Sequence, residues 1–200
     1  MLEETSRQDL KERLALIETM MAEGRQTTQR WGWSFLLWGV AYYIAIAWTD
    51  APHGKWAWPI TMGAAVLLSF IIASRSGGDK SRTTMSRAVG SIWLAFGMTA
   101  FLLFVSLGIS GRLTDLRVFI AVVAAMLGMA NGASGYLLGW RVQMGCAVIW
   151  WITAVSACFL SVSRAGIIFL IAIFFCQIVF GVYGMLEQHR TRIRRKAIHA

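Results

Sequence analysis

Six stretches of this chain contain no Asp, Glu, Lys, Arg or His: Trp31–Trp48, Ala57–Ala73, Ala88–Ile109, Val118–Trp140, Met144–Ser163 and Ala165–Leu186. Each runs to roughly 17–23 residues, which at ~1.5 Å per residue crosses a hydrocarbon layer about 30 Å thick. Strands of a membrane barrel are shorter and alternate in polarity, so these runs read as helices. The chain is 57% hydrophobic and 14% charged, against about 45–50% and 25% in soluble domains. The surplus apolar surface must face something other than water. The expectation is an all-α membrane protein, a six-transmembrane-helix bundle over residues 31–186. An N-terminal amphipathic helix over 1–30 and a basic tail over 187–200 flank it.

A formal net charge of +9 resembles a nucleic-acid binder until its distribution is mapped. Thirty residues precede the first apolar run, and six of the first 23 are acidic. A cleavable signal begins instead with a short basic region, so the chain is expected to start in the cytoplasm. With that orientation, fifteen of the nineteen Lys and Arg residues fall on the inner side, and only Lys55, Arg112, Arg117 and Arg164 fall outside. This is the positive-inside pattern, and it places both termini in the cytoplasm with an even number of spans. The excess charge is a topology signal, and no nucleic-acid partner is expected.

Within the first 30 residues, Thr5 with Gln8 or Ser6 with Asp9 could cap a helix start. Leu10, Leu14, Ile17 and Met21 then recur along one helix face. Asp9 and Arg13 are spaced for an i,i+4 ion pair, and Gly24 is expected to end or loosen the helix. A helix lying on anionic lipid is usually basic. This one has six acids against three bases over residues 1–23. Its apolar face therefore points first to its own bundle, then to a second copy or a cytoplasmic partner, and last to lipid. The basic tail over 187–200 either anchors the topology in lipid headgroups or pairs with this acidic helix.

The fourth run carries Ala124, Gly128, Gly132, Gly135 and Gly139 at steps of four, four, three and four. Small residues so spaced leave a groove for close helix approach, within one subunit or between two. Asn131, Gln177 and Ser69 lie at a similar depth in their runs. A lone amide in hydrocarbon is costly. The three form either an interhelical hydrogen-bond clamp or the polar floor of a binding cavity. Trp38, Trp93, Trp150 and Trp151 share a depth toward the cytoplasmic end, as lipid-facing aromatics or as the walls of a pocket for an apolar or planar ligand.

The sequence also narrows the chemistry. No run contains a His or a carboxylate, which excludes a bis-His haem and argues against most ion-coupled transport. Cys146, Cys158 and Cys176 show no CxxC spacing, and no Ser–His or HExxH arrangement exists. No catalytic residue, metal site or cofactor is expected, and the loop Ser74–Arg87 lacks the phosphate-loop spacing.

The stretch Met129-Ala-Asn-Gly-Ala-Ser-Gly-Tyr, the link Arg141-Val-Gln, the pair Trp38-Gly39 and the ending Phe174–Gly184 resemble a family of uncharacterised bacterial six-helix inner-membrane proteins. The resemblance implies a cytoplasmic N-terminal helix and some importance for Asn131 and Gln177. Where relatives show Pro-Gly-Tyr-Gly before the last helix, this chain has Ser163-Arg164-Ala165-Gly166. Two functional expectations follow. One is a non-enzymatic interaction or ligand-sensing protein with a cytoplasmic docking helix. The other is a small permease or transporter subunit for an uncharged or apolar solute.

Overall fold

The computed structural model describes residues 2–49, 51, 56–75, 84–112 and 115–198, with backbone alone for 2–7, 27, 192 and 194–198. Most of the loop Ser74–Arg87 lies outside the described residues. The order is α1 (Leu2–Arg30), α2 (Gly32–Thr49), α3 (Ala57–Arg75), α4 (Thr84–Ile109), α5 (Leu116–Leu137), α6 (Arg141–Phe159), α7 (Val162–Ile173) and α8 (Phe180–Ile198). A π-helical turn, Phe174–Val179, joins α7 to α8 without a break. No strand occurs among the described residues.

Five helices are long and apolar enough to cross a membrane: α3, α4, α5, α6 and the continuous stretch Val162–Thr191. The 18-residue α2 also carries no charged residue, but three Trp and two Tyr lower its hydropathy. The packing is the reverse of a soluble core. Ala45, Ala57, Ala124, Ala130 and Ala147 are fully enclosed or nearly so, while Phe70, Phe159 and Ile109 are 75%, 83% and 84% exposed. Small residues let helices approach, and the large apolar side chains point outward, as a hydrocarbon solvent allows.

The α5–α6 pair makes the most extensive contact in the molecule. The last helix lies against α2, α5 and α6, α3 packs on α2, and α4 packs on α5 and α1. The turn between α5 and α6 is short because Gly139 takes a left-handed φ of 56° and the Trp140 amide donates back to the Gly135 carbonyl at 2.8 Å. An L side chain at that φ would be strained, and Gly supplies it freely.

Two sequence expectations change here. Gly24 does not end α1, which runs unbroken to Arg30. Its missing side chain is used for docking, since a Cβ there would lie 2.9 Å from Met85 Cγ and would press into Leu138. The helix also begins at Leu2, so Thr5 and Ser6 lie within it and not at its cap. The Asp9–Arg13 pair forms as spaced, at 3.1 Å.

At the other end of the bundle, Asp115 caps α5. Its carboxylate accepts from the Arg117 amide at 2.9 Å and pairs with the guanidinium at 2.8 Å. The Arg117 side-chain hydrogen bonds, then its amide, hold the Asp115 carboxyl below the usual carboxylate range. A depressed folded pKa stabilises the cap above the unfolded value, and that contribution is lost only as pH falls through the folded one. Hydrogen exchange at Phe119 and Ile120 should therefore stay slow through the range where free carboxylates protonate and quicken below it. In Asp115→Asn this acid step should vanish.

Candidate functional site

Close approach of α5 and α6 builds the interior of the bundle. A Cβ at Gly135 would stand 2.9 Å from the Met144 backbone nitrogen, and one at Gly132 would stand 2.9 Å from Trp151 Cζ2. Gly128 lies under the same indole, and Ala124 is fully buried one turn further. Gly128, Gly132 and Gly135 therefore share a groove filled by α6 of the same chain, with Ala124 buried on the same face of α5. Gly139 does not belong to it. Helix α5 ends at Leu137, and Gly139 sits in the turn, where its φ matters and its size does not extend the groove.

This contact encloses polar side chains from three helices. Asn131, Ser134 and Gln143 are wholly buried, Trp150 likewise, and Gln177 is 3% exposed. Asn131 donates Nδ2–H to its own Leu127 carbonyl at 2.9 Å, and its Oδ1 has no partner. Gln143 Oε1 and Nε2, Ser134 Oγ, Trp150 Nε1 and Gln177 Oε1 are also without partners. Asn131 and Gln177 thus do not form a clamp through hydrogen bonds with each other.

Contacts between α5, α6 and the π turn bring these groups into one zone. The Cys176 thiol lies 3.7 Å from the Cys146 carbonyl, which sets Gln177 of the π turn beside the first turns of α6. Gln143 is one turn before Cys146, and Ser134 is next to Gly135, whose contact on α6 is the Gln143–Met144 peptide. From α2, Gly39 leaves room for the Gln177 side chain, with a Cβ there falling 2.9 Å from Gln177 Cβ. Single π turns inside α-helices concentrate at functional sites. Each unpartnered buried polar group costs about 1–3 kcal/mol, so this layer is the most stressed part of the interior.

Ser69 does not join it. Its Oγ is buried and unpartnered, but α3 packs on α2, and Ser69 is carried there with it. The tryptophans divide into two strings. Trp38 meets Tyr42, Tyr42 meets Phe169, and Phe169 meets Trp150 at 5.9 Å. Trp93 instead stacks edge-on against Phe35 at 5.1 Å, and Phe35 continues to Phe180 and Trp140. Both strings run into one apolar cluster, which includes Phe35, Trp150, Phe169 and Phe180 with Tyr42 and Trp93 packed against it.

Sequence reasoning missed Gln143 and Ser134. Gln143 stands three residues after Trp140, in what reads as a connecting link, and only the early start of α6 at Arg141 turns it inward. Ser134 is one helical turn from Asn131, which was the available signal.

A second feature lies on α1. Its C-terminal part is docked: Arg25 Nε donates to the Leu138 carbonyl at 2.7 Å and Nη2 to the Gly139 carbonyl at 3.1 Å. A guanidinium on the last carbonyls of a helix satisfies unpaired acceptors and opposes the negative end of its dipole. Gly24 and Thr28 are buried beside it. The apolar stripe continues toward the N-terminus through Ile17, Leu14 and Leu10, which are 51%, 53% and 59% exposed. Where α1, α2 and α8 meet, Arg30, Trp33, Met185, Gln188 and His189 line a half-open cleft of about 170 Å3. Among the described residues, no group of three or more His, Cys, Asp and Glu comes together.

Gly135→Ala should lower the melting temperature in detergent, because its Cβ meets backbone that cannot move without parting the two helices. The loss expected is about 1–3 kcal/mol, the usual cost of overpacking. Gly145→Ala, with nothing within 4 Å, should be neutral or stabilising through helix propensity.

No protein-family model, curated protein or solved structure matches the chain. The reading of its function rests on the chemistry of these two features.

Proposed function

We propose that this chain is a six-span protein of a bacterial inner membrane, non-enzymatic, that works by docking a protein on its cytoplasmic helix α1. The observation that carries this is the division of one stripe. Met21, Gly24 and Thr28 lie on the bundle, while Leu10, Leu14 and Ile17 continue the same face and are more than half exposed. The sixth span is α2, charge-free and packed against α3 and the last helix. The inner side is the one where α1, the turn at Arg141 and the basic end of α8 gather, in line with fifteen of nineteen Lys and Arg residues. The likeness to uncharacterised inner-membrane proteins supports the same organisation.

Docking on α1 fits its chemistry better than lipid does. Residues 1–23 hold six acids against three bases, and anionic inner-leaflet lipid attracts basic helices. A photoactivatable residue at Leu14 or Ile17, in intact membranes, should yield a protein adduct, whereas lipid adducts alone would sink the proposal. The Arg25 clamp is what aims the arm. Arg25→Ala should raise protease sensitivity across residues 8–30 several-fold and leave the spans protected.

A second reading, a small permease or transporter subunit for an uncharged or apolar solute, is favoured by one observation: the unpartnered Gln143 amide and Gln177 Oε1 beside a π turn. The two readings separate in Gln143→Leu. Removing an unsatisfied amide from a dry interior is neutral or stabilising, so under the docking reading the melting temperature should hold or rise. Under the permease reading, native mass spectrometry of the unaltered protein should show a retained small solute that Gln143→Leu loses.

A further inference from the structure

We propose that the cleft where α1, α2 and α8 meet binds the phosphate group of an anionic phospholipid. The inference rests on the reading of α2 and the last helix as spans, and it needs no protein on α1. Its place in the fold is the first support. Arg30 directly precedes the charge-free run Trp31–Trp48, and Gln188 and His189 lie within three residues of the end of the run Ala165–Leu186. The cleft therefore sits at the ends of two spans, the level of lipid headgroups.

Its walls are held by backbone contact. A Cβ at Gly32 would stand 2.7 Å from the Gly181 carbonyl oxygen and 3.0 Å from the Met185 nitrogen, and one at Gly184 would stand 3.5 Å from Gly32 Cα. Beside the cleft, α2 and α8 thus meet with no side chain between them. The passage from α1 into α2 is equally tight, with the Trp31 amide donating to the Thr28 carbonyl at 3.0 Å and the Ser34 amide to the Trp31 carbonyl at 2.8 Å. The lining side chains are therefore carried on backbone already fixed in place, which lowers the ordering cost of binding.

The lining chemistry suits an anion. The Arg30 guanidinium, Gln188 amide, His189 imidazole and Trp33 indole all offer N–H donors, and no lining residue is a carboxylate. Glu187 precedes Gln188 on α8 but does not line the cleft, and Arg190 follows as an exposed base. A guanidinium fork matches phosphate oxygens, and basic pockets between membrane helices take anionic headgroups. At about 170 Å3 the space is smaller than the ~300–1,000 Å3 that encloses a drug-sized ligand. It accepts a headgroup and leaves the acyl chains in the bilayer. A free phosphate shares the chemistry but gains nothing from the Met185 thioether and the Trp33 ring. Met185 is 42% exposed and Val182, one turn into the span, 41%, an apolar path for the chains.

The test is native mass spectrometry of the full-length protein in detergent, titrated separately with phosphatidylglycerol, phosphatidylcholine and inorganic phosphate. One phosphatidylglycerol should be retained in preference to phosphatidylcholine. Arg30→Gln with His189→Gln should weaken that binding by about tenfold or more, the worth of a charged hydrogen bond, while Arg190→Gln, off the lining, should leave it nearly unchanged. Equal retention of the two lipids, or an equal loss in Arg190→Gln, overturns the site in favour of a generally basic face. Retention of inorganic phosphate without the lipid overturns the lipid as its source. Photolabelling of the unaltered protein needs no variant to fold. A phosphatidylglycerol with a diazirine in its headgroup should mark the peptides holding Trp33 and Met185–His189. A second analogue, with the diazirine in the acyl chain, should mark α2 at the exposed Val40 and Ile44. Chain labelling of α2 without headgroup labelling of the cleft keeps the span and overturns the site. If neither analogue marks α2, the reading of α2 as a span falls with it.

Discussion

The backbone-to-backbone approach of α5 and α6 is the constraint on which the remaining geometry depends. Between helices in a membrane there is little hydrophobic driving force, because lipid is as apolar as Leu. Attraction has to come from close packing, and Gly128, Gly132 and Gly135 permit it by offering backbone and the flat face of Trp151. Helices that close must be joined by a tight turn, which Gly139 makes possible at φ 56°. That turn presents the Leu138 and Gly139 carbonyls outward, where Arg25 accepts the role of cap. The position of the long N-terminal helix is thus set by glycine spacing in a helix more than a hundred residues away.

The last helix shows a related accommodation. Its buried positions include Ile173, Gln177 and Gly181 together with Cys176, Phe180 and Gly184. Successive steps of four drift by about 40° in a regular α-helix of 3.6 residues per turn. A wider turn absorbs that drift, and the π segment Phe174–Val179 lies where it is needed. The same local widening puts Gln177 inward, against Gly39 of α2, in an otherwise apolar interior. The amide is therefore a consequence of a chosen backbone form as well as of a chosen residue, and its neighbour Gln143 is placed by the α5–α6 contact.

Much of this was legible in the sequence because the signals are long and one-dimensional. Five charge-free runs coincide with helices able to cross a membrane, their ends shifted by a few residues, and the glycine steps located the α5–α6 groove. What stayed hidden depends on azimuth or on distant partners. Depth alone grouped Ser69 with Asn131 and Gln177, but depth does not say which neighbour a helix faces, and α3 faces α2. Gly24 read as a helix end because its local propensity is poor, yet its value lies in the contact with Met85 and Leu138, far along the chain.

The division of α1 follows from lengths. Its 29 residues make a rod of about 43 Å, whereas one packed helix is about 10–12 Å across. From Gln29 beside α8 to Met21 at the α5–α6 turn is eight residues, about 12 Å of rod, which spans little more than one helix of the bundle. Everything before Met21 is longer than the support beneath it. The apolar stripe nevertheless continues there through Ile17, Leu14 and Leu10, which a solvated overhang would not need. Acidic residues border that stripe and basic ones end the chain. A rod longer than its own support and apolar on the supported face throughout leaves a stripe that only a further surface can cover.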